Sequence, residues 1–115
     1  MKRVLIDCGA SCNILFKKTF DKMKIPKTDV QSSSQKIMGF TGEPKRPIGT
    51  IELFVEIGEG QRKVTQKQLF VIIDEPSAYN AFLGRPALAA FRIVLAPWNL
   101  TMKFPTDNGI GVLKG

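Results

Sequence analysis

The chain has no histidine among its 115 residues. That removes Ser-His-Asp and Cys-His nucleophilic catalysis and most imidazole-bound metal hydrolases. Hydrolytic chemistry would have to rest on carboxylates, lysine, tyrosine or main-chain groups. Cysteine is almost as scarce. Cys8 and Cys12 are too few for a disulfide framework, and their spacing is not that of a redox CxxC. Without a histidine or a second cysteine pair, no structural zinc site is expected, and no metal or other cofactor. The two read as small, mostly buried thiols. No apolar run is long enough to cross a bilayer, and Met1-Lys2-Arg3 leads into no signal-peptide core. A soluble, non-secreted, intracellular reading follows, with a cytoplasmic location and no membrane partner. Dense charge is lacking too. The 17 basic residues outnumber the 10 acidic ones, but they are spread, as in Lys17-Lys18, Lys22, Lys24, Lys45-Arg46 and Arg62-Lys63. That pattern reads as a solvated surface, so nucleic acid is not an expected partner.

What is present suits one compact domain over residues 1–115, because 43% hydrophobic and 23% charged residues is a globular composition. Arg3 to Ile6 is a short apolar strand running into Asp7-Cys8-Gly9, where the glycine marks a sharp turn. Asn13 is placed to cap a helix in which Phe16, Phe20 and Met23 recur at helical spacing, up to Ile25-Pro26. Lys27 to Gln35 is a polar loop. Ile37 to Gly42 reads as a glycine-rich hairpin tip, and Pro44 and Pro47 bracket a charged bend. Ile51, Leu53, Val55 and Ile57 alternate with Glu52, Phe54, Glu56 and Gly58, which marks a half-buried strand. Gly58-Glu59-Gly60 turns the chain into a return strand from Val64 to Ile73. Ala81-Phe82-Leu83 is a further strand broken by Gly84, and Pro86 opens a short helix over Ala87 to Phe91. Strands follow over Arg92 to Ala96, Asn99 to Phe104 and Ile110 to Leu113, with Asn108-Gly109 as the last turn. Many short strands with little helix give a mostly-β barrel or sandwich.

The sharpest chemical signal is Val4-Leu5-Ile6-Asp7-Cys8-Gly9-Ala10-Ser11. An apolar strand delivers one aspartate to a glycine turn, where a main-chain N–H is able to approach the carboxylate. Asp-x-Gly alone is common and is usually only a turn. Here it is followed in order by the hairpin Ile37 to Gly42 and by apolar-apolar-Gly-Arg, Phe82 to Arg85. The ordered set resembles the retropepsins, the proteases of retroviruses and long-terminal-repeat retrotransposons. Asn13-Ile14-Leu15-Phe16, Gly39-Phe40-Thr41-Gly42-Glu43, Pro76 to Leu88 and Leu100 to Thr106 are similar to the protease region of plant gypsy-type retrotransposon polyproteins.

That resemblance implies a mostly all-β, closed barrel with one or two short helices, acting as an aspartic endopeptidase. The implied partners are a second copy of the chain, in a homodimer, and a peptide or polyprotein substrate. The implied catalytic residue is Asp7, with Cys8, Gly9, Ala10 and Ser11 supporting its loop. Met38, Gly39, Phe40, Thr41 and Gly42 would form the flap over the substrate. Phe82, Leu83 and Gly84 would lie under the site. The sequence departs from the family in two places. Cys8 stands where active members have a hydroxyl residue, and only six residues precede Asp7. The strand usually found upstream is therefore expected to be missing, leaving Val4 to Ile6 with unpaired main-chain groups. A different reading stays open beside the enzyme: a catalytically inactive, retrotransposon-derived dimerisation or peptide-binding module.

Overall fold

A computed structural model describes residues 3–32, 37–38, 44–45, 47–96 and 101–114. Its strands are β1 (Val4–Ile6), β2 (Asn13–Phe16), β3 (Ile37–Met38), β4 (Pro44–Lys45), β5 (Gly49–Glu59), β6 (Arg62–Ile73), β7 (Ala81–Leu83), β8 (Val94–Ala96), β9 (Thr101–Thr106) and β10 (Gly109–Lys114). Two short helices, α1 (Lys17–Met23) and α2 (Arg85–Ala90), and one 3-10 turn (Lys27–Asp29) complete it. The mostly-β expectation is met. Hydrogen bonding among the described residues draws three sheets, with orders β1-β7-β2-β6-β5, β10-β9-β8 and β3-β4. Among the described residues the ladders of these sheets do not join into a ring.

The alternation that predicts the long hairpin is obeyed over a greater length than the apolar residues alone mark. β5 and β6 pair antiparallel from Gly49↔Ile72 to Glu59↔Arg62. Ile51 and Ile57 are buried, while Glu52, Phe54 and Glu56 are exposed. Gly58 has a φ of 111°, and a side chain there would run into the Arg62 backbone, so the turn needs glycine. The far end of this ribbon is tied to the last turn of the chain. Asn108 Nδ2 donates to the Gln61 carbonyl at 2.6 Å, and Arg62 Nη1 to that of Ile110 at 3.3 Å.

The core is one cluster shared by both larger sheets and the helices. Leu15, Phe20, Ile51, Phe70, Ile72, Leu83, Ala87, Phe91, Met102 and Phe104 belong to it. β7 lies between β1, which runs parallel to it, and β2, which runs antiparallel. This three-strand arrangement brings the ends of β1, β2 and β7 to the same place, and Asp7 lies there.

Several boundaries move. Asn13 to Phe16 is not the start of a helix. It is strand β2, parallel to β6 with Asn13↔Phe70 and Phe16↔Ile73 in register. The apolar run Ile14-Leu15-Phe16 satisfies a buried strand as well as one turn of helix, and the position beside Phe70–Ile73 decides it. α1 begins at Lys17, has no side-chain cap, and ends at Met23, followed by Lys24 in the left-handed region with a φ of 53°. Pro44, expected in a bend, pairs with Met38 in the β3–β4 ladder. α2 starts at Arg85, one residue before Pro86. Nor are the main-chain groups of β1 left wholly unpaired. One edge pairs with β7, and among the described residues no strand lies on the other.

Candidate active site

Asp7 follows β1 directly and is half-buried. Its N–H donates to the Leu83 carbonyl at 2.9 Å, extending the β1–β7 ladder by one bond. The chain then reverses: Ala10 N–H donates to the Asp7 carbonyl at 3.1 Å. Within this turn Gly9 N–H donates to Asp7 Oδ1 at 2.9 Å. The aspartate is held at both ends, its backbone by β7 and its carboxylate by the turn that follows it. A carboxylate oxygen accepting a main-chain N–H is fixed in direction, and its second oxygen remains available.

The segment Phe82-Leu83-Gly84 lies against this loop. Phe82 and Leu83 are 6% and 5% exposed, and Phe82 meets Phe16 edge-to-face with ring centroids 5.2 Å apart. Gly84 makes the closest approach. A Cβ at this position would collide with the Cys12 carbonyl oxygen and sit 2.8 Å from that of Ala10. Only glycine lets the two backbones touch, which is the physical content of the apolar-apolar-Gly pattern. Arg85 N–H completes the contact by donating to the Ala10 carbonyl at 2.9 Å.

Of the other residues singled out in the sequence, Gly9 and Ser11 are exposed and Ala10 is half-buried. The expectation of two mostly buried thiols needs correction. Cys8 is exposed and Cys12 half-buried, because the turn throws residue 8 outward. Burial pushes the Cys12 thiol up from its ordinary range, partly offset by a hydrogen bond with Ser11. Met38 lies in β3. Gly39, Phe40, Thr41 and Gly42 fall outside the described residues. A groove of about 410 Å³ lined by Lys63, Val64, Thr65, Pro105, Thr106 and Asp107 lies at the far end of the β5–β6 ribbon and does not include Asp7.

The residue that sequence reasoning missed is Asn13. It is 0% exposed. Its Nδ2 donates to Gln68 Oε1 at 3.0 Å and to the Leu69 carbonyl at 3.1 Å, and its Oδ1 accepts from Gly84 N–H at 2.9 Å. The available signal was an amide at the head of an apolar run that fits a strand as well as a helix.

No protein-family model matches the chain, and no curated protein is similar to it. Among solved structures the fold is similar to the crystal structure of the retroviral protease-like domain of Ddi1 from Leishmania major. The two share a TM-score of 0.58 and 14% sequence identity, over 96% of this chain and 81% of that one. At that identity the likeness establishes the retropepsin-like fold and leaves the chemistry to be argued from the residues.

Proposed function

We propose that the chain is a single-domain aspartic endopeptidase of retropepsin type, working as a homodimer on peptide or polyprotein substrates. The observation that carries this is Asp7: a carboxylate oriented by the Gly9 N–H, at the exit of β1, in a retropepsin-like fold. One chain carries one such aspartate. Asp21 is exposed and paired with Lys17, and Asp29, Asp74 and Asp107 are exposed. A second copy related by a two-fold axis would supply the other carboxylate. Two carboxylates held about 3 Å apart share one proton, since both do not ionise together. The ionised one takes a proton from a bound water, and the neutral one donates a hydrogen bond to the scissile carbonyl. The water attacks directly, so no covalent acyl-enzyme forms. The β3–β4 hairpin, with residues 39–43 between its strands, would cover the substrate. The wording of its motifs favours a retrotransposon polyprotein as the parent.

The test is peptide cleavage by the parent chain and by Asp7→Asn, across acidic pH, with pepstatin as inhibitor. Turnover is expected to follow a bell on the acidic side of neutrality and to vanish in Asp7→Asn with the fold intact. Equal cleavage by both proteins would end the assignment of Asp7. The exposed thiol of Cys8, where active members of the family carry a hydroxyl, favours the second reading of an inactive dimerisation or peptide-binding module. Peptide binding without cleavage by either protein would select it.

A further inference from the structure

We propose that Asn13 is a positioning residue for Asp7, acting through the backbone of Gly84. Its kinetic consequence rests on the protease reading, and its structural consequence on the fold alone.

A buried amide is costly unless every polar group finds a partner. Asn13 is fully enclosed and uses both kinds of group: donors toward Gln68 and the Leu69 carbonyl, an acceptor toward Gly84 N–H. The Leu69 carbonyl is available for a definite reason. Thr50 exchanges both main-chain bonds with Gln31 at 2.9 and 2.7 Å, so Thr50↔Val71 is a pair whose main-chain groups point away from each other. By the alternation of an antiparallel ladder the same holds two residues on, at Glu52↔Leu69. Leu69 therefore turns its carbonyl away from β5 and toward Asn13.

From Asn13 the contacts run without a gap to the aspartate. Gly84, whose N–H donates to Asn13 Oδ1, lies so near the Ala10 and Cys12 carbonyls that a side chain there would collide with them. Arg85 N–H bonds Ala10, Ala10 N–H bonds the Asp7 carbonyl, and Asp7 N–H bonds Leu83, the neighbour of Gly84. The ring of bonds closes on itself. Without Asn13 Oδ1 the buried Gly84 N–H loses its acceptor, and the surface on which the Asp7 loop rests is no longer anchored to β6. A leucine keeps the branched shape and the number of side-chain heavy atoms but makes none of the three bonds. An aspartate keeps the acceptor and loses the donors.

The experiment compares Asn13→Leu, Asn13→Asp and Gln68→Leu in the full chain, reading amide hydrogen exchange at Asp7, Gly84 and Arg85 against Phe104 in β9. It reads kcat and KM for a peptide substrate alongside. In Asn13→Leu the three loop amides are expected to exchange faster while Phe104 is unchanged, and kcat to fall by about 100-fold with KM little altered. Asn13→Asp should keep the Gly84 amide protected. Should Asn13→Leu fail to fold, Gln68→Leu, which removes one anchor of Asn13, should show the same local pattern on a smaller scale. Loop exchange equal to the parent, or an equal acceleration at all four amides, overturns the proposal. If the parent itself cleaves nothing, the protease reading fails, and the exchange pattern still decides whether Asn13 holds the loop.

Discussion

The two halves of β6, one mostly charged and polar and the other wholly apolar, belong to one strand and lie in different surroundings. From Phe70 to Ile73 every residue is buried, because β2 lies on one edge, β5 on the other, and both faces are covered. From Arg62 to Leu69 only Gln68 is buried, and Val64 and Gln66 are half-buried between exposed neighbours. The outer face there carries Phe54, 76% exposed, with Lys67 5.9 Å from its ring centroid. Glu52–Lys67 and Glu56–Lys63 pairs at 3.9 Å lie on that face as well. Asn13, beneath the Asp7 loop, bonds to β6 where the two halves meet, at Gln68 and Leu69. The outer half reaches to the last hairpin. One continuous strand thus serves as core at one end and as solvated ribbon at the other, and a substitution of one kind should cost very different amounts along it.

The sharpest way to break this contrast is Ile72→Ala. Ile72 is 0% exposed, and truncation should cost about 2–5 kcal/mol, read as a lower midpoint in urea. A loss no larger than that of a surface change would mean the inner half is not the core. Gly84→Ala should follow, at about 1–3 kcal/mol, because the new methyl group displaces the Cys12 and Ala10 carbonyls. Its distinguishing mark is local: exchange at Asp7 and Arg85 should rise more than in β9.

A smaller effect comes from Cys12. Burial raises its thiol in the native chain, so the native state holds the proton more tightly than the unfolded one. The stability this lends is full below the ordinary thiol range and is lost as pH rises through that range toward the native value. Cys12→Ser should therefore flatten the alkaline limb of the stability curve. In the intact chain iodoacetamide should label exposed Cys8 before Cys12, as mass spectrometry of timed samples would check. The smallest effect belongs to the outer ribbon. Phe54→Ser should change stability by about 0.5–1 kcal/mol at most, the scale of an exposed cation–π contact. A loss comparable to Ile72→Ala would mean that Phe54 is covered in solution, and the contrast between the two halves would fall.

Features set by short-range pattern were legible in the amino acids alone. Alternation from Ile51 to Ile57 marked a strand with one wet face. The unbroken run Leu69 to Ile73 marked one heading into the core. The glycine after Asp7 marked the turn, since a tight reversal depends on the residues within it. Features that depend on distant neighbours were settled by packing. Asn13-Ile14-Leu15-Phe16 is too short for its period to separate helix from strand, and it became β2 because Phe70 to Ile73 lies beside it. Asn13 has no partner nearby in the sequence. Its hydrogen bonds reach Gln68 and Gly84, 55 and 71 residues away, and a buried amide acquires a role only once the fold has brought its donors and acceptors to it.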